Sequence, residues 1–349
     1  MDKHTKCLII YPDSASFVSH DINILKREYE TDVYHFKSKK GIGIFIQLAD
    51  QFFFLVRKIR GYRFVYVAFA QYHSILPVLI CKLFRKRCYI MVGGTDAHCF
   101  PEIGYGNHSR PFLKVATCFS LRYCYKILPK HGSLVSSQYS YFKAKYPLQG
   151  YANLCRNEKL KFKSIVIENG YDVTFWHPSG QERNKWILTV GSNLQRQREF
   201  LLKGIDLLLE VADKFSDYTF VIIGASELPA NNIPKNILLI PHVPYQKLRD
   251  YYSKADIYLQ LSVAEGFPNA LCEAILCGCI PIGSNVFGIP DIIGDERFIL
   301  YKKDKNALAE IIQFALREKN EALRDYFRNR IKDLYPLNRR ATLLLNALA

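Results

Sequence analysis

The chain has 349 residues, 49% of them hydrophobic and 14% aromatic, and a formal net charge of +16 at neutral pH. Such a length exceeds what one hydrophobic core usually supports, and such an apolar content excludes a disordered chain, so two globular domains are expected. The charge is polarised: residues 1–163 hold 26 Lys and Arg against 10 Asp and Glu, whereas residues 164–349 hold 22 of each. An excess confined to one half suits a domain that faces an anionic membrane surface, nucleic acid or acidic substrate.

Short apolar runs alternate along the chain with longer stretches of helical periodicity, the pattern of parallel strands joined by helices. Strands are expected at 7–11, 64–68, 88–92, 186–190, 219–223, 237–240, 257–261 and 280–283, and helices at 204–215, 245–253 and 306–317. The first strand leads into Tyr11-Pro12-Asp13-Ser14-Ala15-Ser16. No dinucleotide-binding fingerprint follows it, which argues against an oxidoreductase. The most apolar stretch, 42–59, is interrupted by Gln47, Asp50 and Gln51, so it does not read as a membrane span. Around it stand Lys37, Lys39, Lys40, Arg57, Lys58, Arg60 and Arg63, a composition suited to an interfacial patch on anionic lipid, with a second basic and aromatic run at 110–130.

Ten scattered cysteines without paired C-x-x-C spacing or a secretion signal fit reduced, mostly buried thiols of a cytoplasmic protein. Cys272, Cys277 and Cys279 lack the nearby His or fourth Cys that would complete a zinc set. Charged residues before 165–167 and the Asn169-Gly170 turn place a domain boundary near residue 163. The expected division is an acceptor domain at 1–163, a donor domain at 164–330, and a return towards the first domain at 331–349 by a last helix spanning 321–349.

The densest chemical signal is Ala264-Glu265-Gly266-Phe267-Pro268-Asn269-Ala270-Leu271-Cys272-Glu273, between a strand and a helix. Phe267 precedes a proline and prefers an extended backbone, while Pro268 suits the first helical position. The N–H groups of Asn269, Ala270 and Leu271 are then left free as an anion site beyond the carboxyl end of a strand, where open α/β sheets bind ligands. Glu265 sits in the loop and Glu273 over one turn into the helix, so each carboxylate can accept hydrogen bonds from a separate vicinal diol.

On these residues the chain resembles the family 4 glycosyltransferases, whose signature is two glutamates separated by seven residues in E-G-F-x-x-x-x-x-E-A. Agreement extends to Asn169-Gly170-Tyr171-Asp172, Thr189-Val190-Gly191, Lys203-Gly204, Ile223-Gly224, Cys277-Gly278-Cys279-Ile280-Pro281-Ile282 and Gly288-Ile289-Pro290-Asp291, and covers roughly residues 165–295. The resemblance implies an α/β GT-B fold, two Rossmann-like doubly wound parallel-sheet domains facing a cleft. It also implies retaining transfer from a UDP- or GDP-sugar to a glycan or lipid-linked acceptor, of the bacterial surface or capsular polysaccharide type.

By the same resemblance Glu273 holds the donor ribose and Glu265 the transferred sugar. Lys203 grips the diphosphate beside Arg196 or Arg198, and the donor site includes Gly191, Gly266, Phe267, Pro268, Asn269 and Ala270. Base recognition by backbone groups falls near His242-Val243. No D-x-D triplet occurs, so the diphosphate charge must be met by protein cations and a helix amino terminus, and no metal or cofactor is implied.

In the first half, Val92-Gly93-Gly94-Thr95-Asp96-Ala97-His98 follows a strand where related enzymes often read H-G-T-D, and Gly93 stands at the histidine position. Asp96 is the first candidate to contact the reacting sugar or acceptor, and His98 the second. Two other readings compete: a nucleotide-sugar epimerase of the same fold, disfavoured by the signature at Glu265, and a basic nucleic-acid- or membrane-binding protein without catalysis. The latter would lack the site in the neutral half and shows no RNA-binding signature. A cytoplasmic location, peripheral at the inner membrane face, is the expectation.

Overall fold

A computed structural model describes residues 5–12, 16–37 and 41–349; Asp13, Ser14, Ala15, Lys39 and Lys40 lie outside the described residues. The first sheet contains β1 (Lys6–Tyr11), β2 (Glu30–His35), β3 (Phe64–Ala68), β4 (Arg87–Val92) and β5 (Lys126–Pro129). Its strands run parallel in the order β2-β1-β3-β4-β5. The connecting helices are α1 (Ser16–Glu28), α2 (Ile42–Lys58), α3 (Tyr72–Leu83) and α4 (Pro111–Tyr123). A two-residue hairpin of β6 (Ser137–Gln138) and β7 (Leu148–Gln149) and two short helices, α5 (Tyr151–Leu154) and α6 (Lys159–Phe162), lead out of it.

The second sheet is also parallel, in the order β10-β9-β8-β11-β12-β13. It is built from β8 (Trp186–Val190), β9 (Thr219–Ile223), β10 (Ile237–Ile240), β11 (Ile257–Gln260), β12 (Ile280–Ser284) and β13 (Ile299–Leu300). Helices α7 (Gln197–Leu202), α8 (Ile205–Ala212), α9 (Leu248–Lys254), α10 (Asn269–Leu276), α11 (Ile289–Ile293), α12 (Lys305–Glu318), α13 (Glu321–Leu334) and α14 (Leu337–Leu348) complete the chain. Every residue of β3, β11 and β12 is buried, as expected where helices cover both faces of a parallel sheet.

All eight expected strands form. Beyond these eight stand β2, β5, the short β6 and β7, and β13; β2 reads Glu-Thr-Asp-Val-Tyr-His, an edge strand with only Tyr34 buried, which lacks the apolar run that marks a central strand. The single helix expected over 321–349 is instead two, because Tyr335 precedes Pro336 and leaves the helical region. After that break α14 turns onto the first sheet, where Leu344 and Leu348 join the core of Ile9, Phe64 and Tyr66. Ile165 and Ile167, expected beyond the boundary, pair along β5: their N–H groups donate to Ile127 and Pro129 at 2.9 Å.

The return of α14 is fastened by charge. Arg340 reaches Asp21 of α1 at 2.5 Å, and Lys130 at the end of β5 reaches the same carboxylate at 3.3 Å, all three side chains being buried. Burial opposes the Asp21 charge, but Arg340 and Lys130 together hold its carboxyl below the usual range.

Eight of the ten cysteines are free and buried, including Cys272, Cys277 and Cys279, whereas Cys118 and Cys155 are joined by a disulfide. Fully reduced thiols were the expectation. What spacing could not show is that α4 and the end of α5 bring these two residues to a Cα separation of 5.4 Å.

Candidate active site

The carboxyl ends of both sheets face one another across a cavity of about 380 Å³. Gly93 and Lys130, after β4 and β5, line it from the first domain; Val190, Gly191, Ser192, Gln260, Glu265 and the start of α10 line it from the second. Placing ligands at strand ends is a consequence of parallel topology: where the strand order reverses, neighbouring strand-end loops diverge and leave a crevice, and helix amino termini point the same way.

Two close approaches shape this cavity. Gly204 has φ +68°, and a Cβ there would lie 2.2 Å from the Leu261 carbonyl oxygen, so only glycine lets α8 start against the end of β11. Gly266 touches the other domain: a Cβ on it would lie 1.8 Å from the Gly93 oxygen. The Lys-Gly and Glu-Gly-Phe pairs therefore put Lys203 and Glu265 at the cavity wall by removing side chains next to them.

Lys203 caps the carboxyl end of the short α7, and its Nζ lies 2.6 Å from Glu265 Oε2. The same carboxylate oxygen is 3.4 Å from Gln260 Nε2 and from Ser262 Oγ. Pro268 is the residue before α10 rather than within it, and the helix begins at Asn269. Phe267, Pro268, Asn269 and Ala270 line the cavity. Asn269 Oδ1 accepts from Asn169 Nδ2 at 2.7 Å and from the Tyr171 hydroxyl at 2.8 Å, which ties the Asn-Gly-Tyr turn to the start of α10.

Glu273 stands apart from Glu265. It is buried, accepts from the Tyr245 hydroxyl at 3.0 Å, and has Tyr252 at 3.5 Å. Burial pushes its carboxyl up to about 7, with both tyrosine hydroxyls pulling the other way. It lines a narrow pocket with Asn169, Gly170, Tyr171 and Asn269, next to the main cavity. Arg196 lies just before α7, and Arg198 pairs with Glu199; neither lines the cavity. Val243 is half-buried and packs against the second core.

Asp96 and His98 are not at the cavity wall. Asp96 is fully buried and accepts backbone N–H groups from Gly93 and Gly94 on one oxygen and from Ala70 on the other, each at 3.1 Å. Burial raises its carboxyl to about 6 against those bonds. Its place is beneath the Gly93-Gly94 turn, which it holds against Gly266, because three converging N–H groups draw the carboxylate inward. His98 is also fully buried, with its ring 4.1 Å from that of Phe287 and neither nitrogen hydrogen-bonded among the described residues. Burial lowers it to about 3, so the ring is neutral. At Gly93 a side chain would strike the Phe69 ring at 2.5 Å, so this ring fills the space beside the missing histidine.

Lys130 was not singled out from the sequence. It lies in an ordinary-looking Pro-Lys-His segment, and only the tertiary fold sets it between Asp21 and the cavity. Burial pulls it down to about 7, Arg340 acts in the same direction and Asp21 opposes. The next residue, His131, bridges the domains through Asp291 at 3.0 Å.

Residues 184–333 match the family profile of glycosyl transferases group 1, so the second domain carries a glycosyltransferase sequence pattern. A phosphatidylinositol N-acetylglucosaminyltransferase subunit of Arabidopsis thaliana is 24% identical over 185 residues, 50% of this chain and 41% of that protein. TuaC of Bacillus subtilis, a proposed teichuronic acid biosynthesis glycosyltransferase, is 30% identical over 112 residues, 32% of this chain and 29% of that protein. The chain thus spans less than half the length of these relatives. The structure of Anabaena HepE in complex with UDP and glucose superposes with a TM-score of 0.74 at 14% identity, covering 99% of both chains. The chain has the GT-B fold, two parallel-sheet domains facing a cleft.

Proposed function

We propose that this protein is a retaining glycosyltransferase that moves a sugar from a nucleoside diphosphate to the hydroxyl of a lipid-linked or other surface-glycan precursor. The observation that carries the reading is the convergence of Lys203, Glu265 and the amino end of α10 in one cavity between the carboxyl ends of two parallel sheets.

In this reading Lys203 and the α10 N–H groups offset the charge that grows on the diphosphate as the glycosidic bond breaks. Arg196 or Arg198 adds a second cation from the solvent side. Glu265 and Gln260 hold hydroxyls of the transferred sugar, and Glu273 exchanges its Tyr245 partner for the ribose diol. Asp96 is a positioning residue for the Gly93-Gly94 turn, and His98 packs beneath it. Glu265 is the one carboxylate lining the cavity among the described residues and is ion-paired with Lys203, which favours deprotonation of the acceptor by the departing phosphate. UDP is the favoured nucleotide, since the HepE structure holds UDP and glucose.

A membrane-borne acceptor is supported by α2. Ile42, Phe45, Ile46, Phe52, Phe53 and Val56 follow helical spacing on its exposed face, Phe45 being 70% and Ile46 62% exposed, with Arg57, Lys58 and Arg60 at the end of the stripe. A stripe of this kind lies at a lipid interface, and no helix among the described residues is long and apolar enough to cross one. The place of action is then cytoplasmic, peripheral at the inner membrane face.

The test is calorimetry of the whole chain against UDP, GDP, ADP and CDP, followed by transfer assays with the matching sugar donors, with and without EDTA. One nucleoside diphosphate should bind well above the others, transfer should survive the chelator, and the product anomer should match the donor. Absence of binding by all four would overturn the reading.

A further inference from the structure

The disulfide of the first domain has a third neighbour. His108, in the turn before α4, has a ligating ring nitrogen within 4.8 Å of both Cys118 Sγ and Cys155 Sγ, the one group of three such side chains among the described residues. Its Nε2 lies 3.1 Å from the Asp96 carbonyl oxygen. A carbonyl only accepts, so Nε2 carries the proton and Nδ1 presents a lone pair. Nδ1 is buried without a hydrogen-bond partner, in a residue only 6% exposed. A buried, unpaired acceptor beside two sulfurs is costly unless something binds it. A histidine whose other nitrogen donates to a backbone carbonyl has the arrangement that orients imidazole towards a metal.

We propose that reduction of the Cys118–Cys155 bond converts this cluster into a binding site for a zinc-class divalent cation, held by two thiolates and His108 Nδ1. Sulfur and imidazole donors of this number select zinc over calcium or magnesium, and a water completes four-coordination. Zinc–sulfur bonds of about 2.3 Å need the sulfurs roughly 3.7 Å apart. That separation requires the S–S bond to be broken first, so disulfide and metal exclude one another. With a phosphine as reductant, the S–S bond takes up two electrons and two protons, the phosphine gains the oxygen of a water molecule, and the two thiol protons leave to solvent when the metal binds. Through Asp96, whose carbonyl holds His108 and whose carboxylate holds the Gly93-Gly94 turn, the bound cation also braces one wall of the cavity.

The full chain, reduced with a phosphine and then desalted, is titrated with cobalt(II) and zinc(II). One cobalt per chain is expected, with the near-ultraviolet thiolate-to-cobalt absorption, which disappears on reoxidation and in Cys118→Ser and Cys155→Ser. His108→Ala should weaken binding at least tenfold. Because these variants disturb a packed region, wild-type protein supplies a second reading: zinc should slow alkylation of Cys118 and Cys155, followed by peptide mass spectrometry. The proposal is overturned by a reduced wild-type chain without the thiolate absorption, by absorption that survives both serine variants, or by alkylation rates that zinc leaves unchanged.

Discussion

Each domain uses a buried aspartate to anchor a C-terminal helix, but the two anchors stand in different places. In the second domain Asp256 takes Arg324 of α13 and Lys319, each at 2.7 Å, at the amino end of β11, opposite the end that lines the cavity. In the first, Asp21 takes Arg340 of α14 and Lys130, and Lys130 also lines the cavity. The second domain thus separates its anchor from the cavity wall, where Lys203 and Glu265 stand with Glu273 in the pocket beside them. The first domain merges them and presents the Gly93 backbone beside Lys130. Side chains that meet a ligand must be of particular types at particular spacings; backbone held from below can be supported in many ways.

The largest expected effect tests the first anchor. Asp21→Ala leaves Arg340 and Lys130 buried without a counter-charge and should cost about 3–5 kcal/mol in chemical denaturation. A loss below about 1 kcal/mol would mean that solvent reaches the cluster and that α14 is held by Leu344 and Leu348 alone.

Lys203→Ala should lower kcat/KM by about 100-fold or more while leaving the fold intact, since the side chain is a quarter exposed and its carboxylate partner tolerates water. If Lys130→Met lowers turnover equally without unfolding the chain, the first domain contributes a charge to the reaction and the contrast between the halves weakens.

A third test uses pH. Glu273 titrates at about 7 in the fold against an ordinary value of 4.5, so the folded chain holds its proton more tightly than the unfolded one. Between those values stability falls as pH rises, and the penalty of a buried charge is complete above about 7. A ribose diol needs the carboxylate as acceptor, so nucleoside diphosphate affinity should drop by up to about tenfold per unit as pH falls below that point. Glu273→Gln should remove that component of the calorimetric pH profile; an unchanged profile would take Glu273 out of the ribose site.

The smallest effect per residue is at the membrane. Changing Arg57, Lys58 and Arg60 to glutamine should weaken sedimentation with anionic vesicles by about 1 kcal/mol per charge at low salt. Equal binding by variant and parent would leave the second domain's assignment untouched and assign the basic excess to a soluble acceptor.

Much of the second domain was legible because its requirements are local. Glu265, Gly266 and the start of α10 are consecutive, and Lys203-Gly204 is a dipeptide whose glycine is forced by a neighbouring carbonyl. The alternation of apolar runs was enough for both sheets, since parallel strands covered on both faces must be apolar throughout. The Gly-Gly-Thr-Asp motif marks Asp96 but not its direction: a motif shows that a carboxylate is needed, and only the fold turns it inward beneath Gly93 and Gly94.

What the residues by themselves determined was therefore the alternation of strands and helices, the pair of parallel-sheet domains and the stretch from Glu265 to Ala270 that lines the cavity, all set by near neighbours in the chain. The tertiary structure alone decided the Asp21–Lys130–Arg340 cluster, the Phe69 ring beside Gly93 and the meeting of His108 with Cys118 and Cys155. The physical reason is distance along the chain: Asp21 and Arg340 are 319 residues apart, and no periodicity or spacing encodes a contact that exists only after α14 has packed back on the first domain.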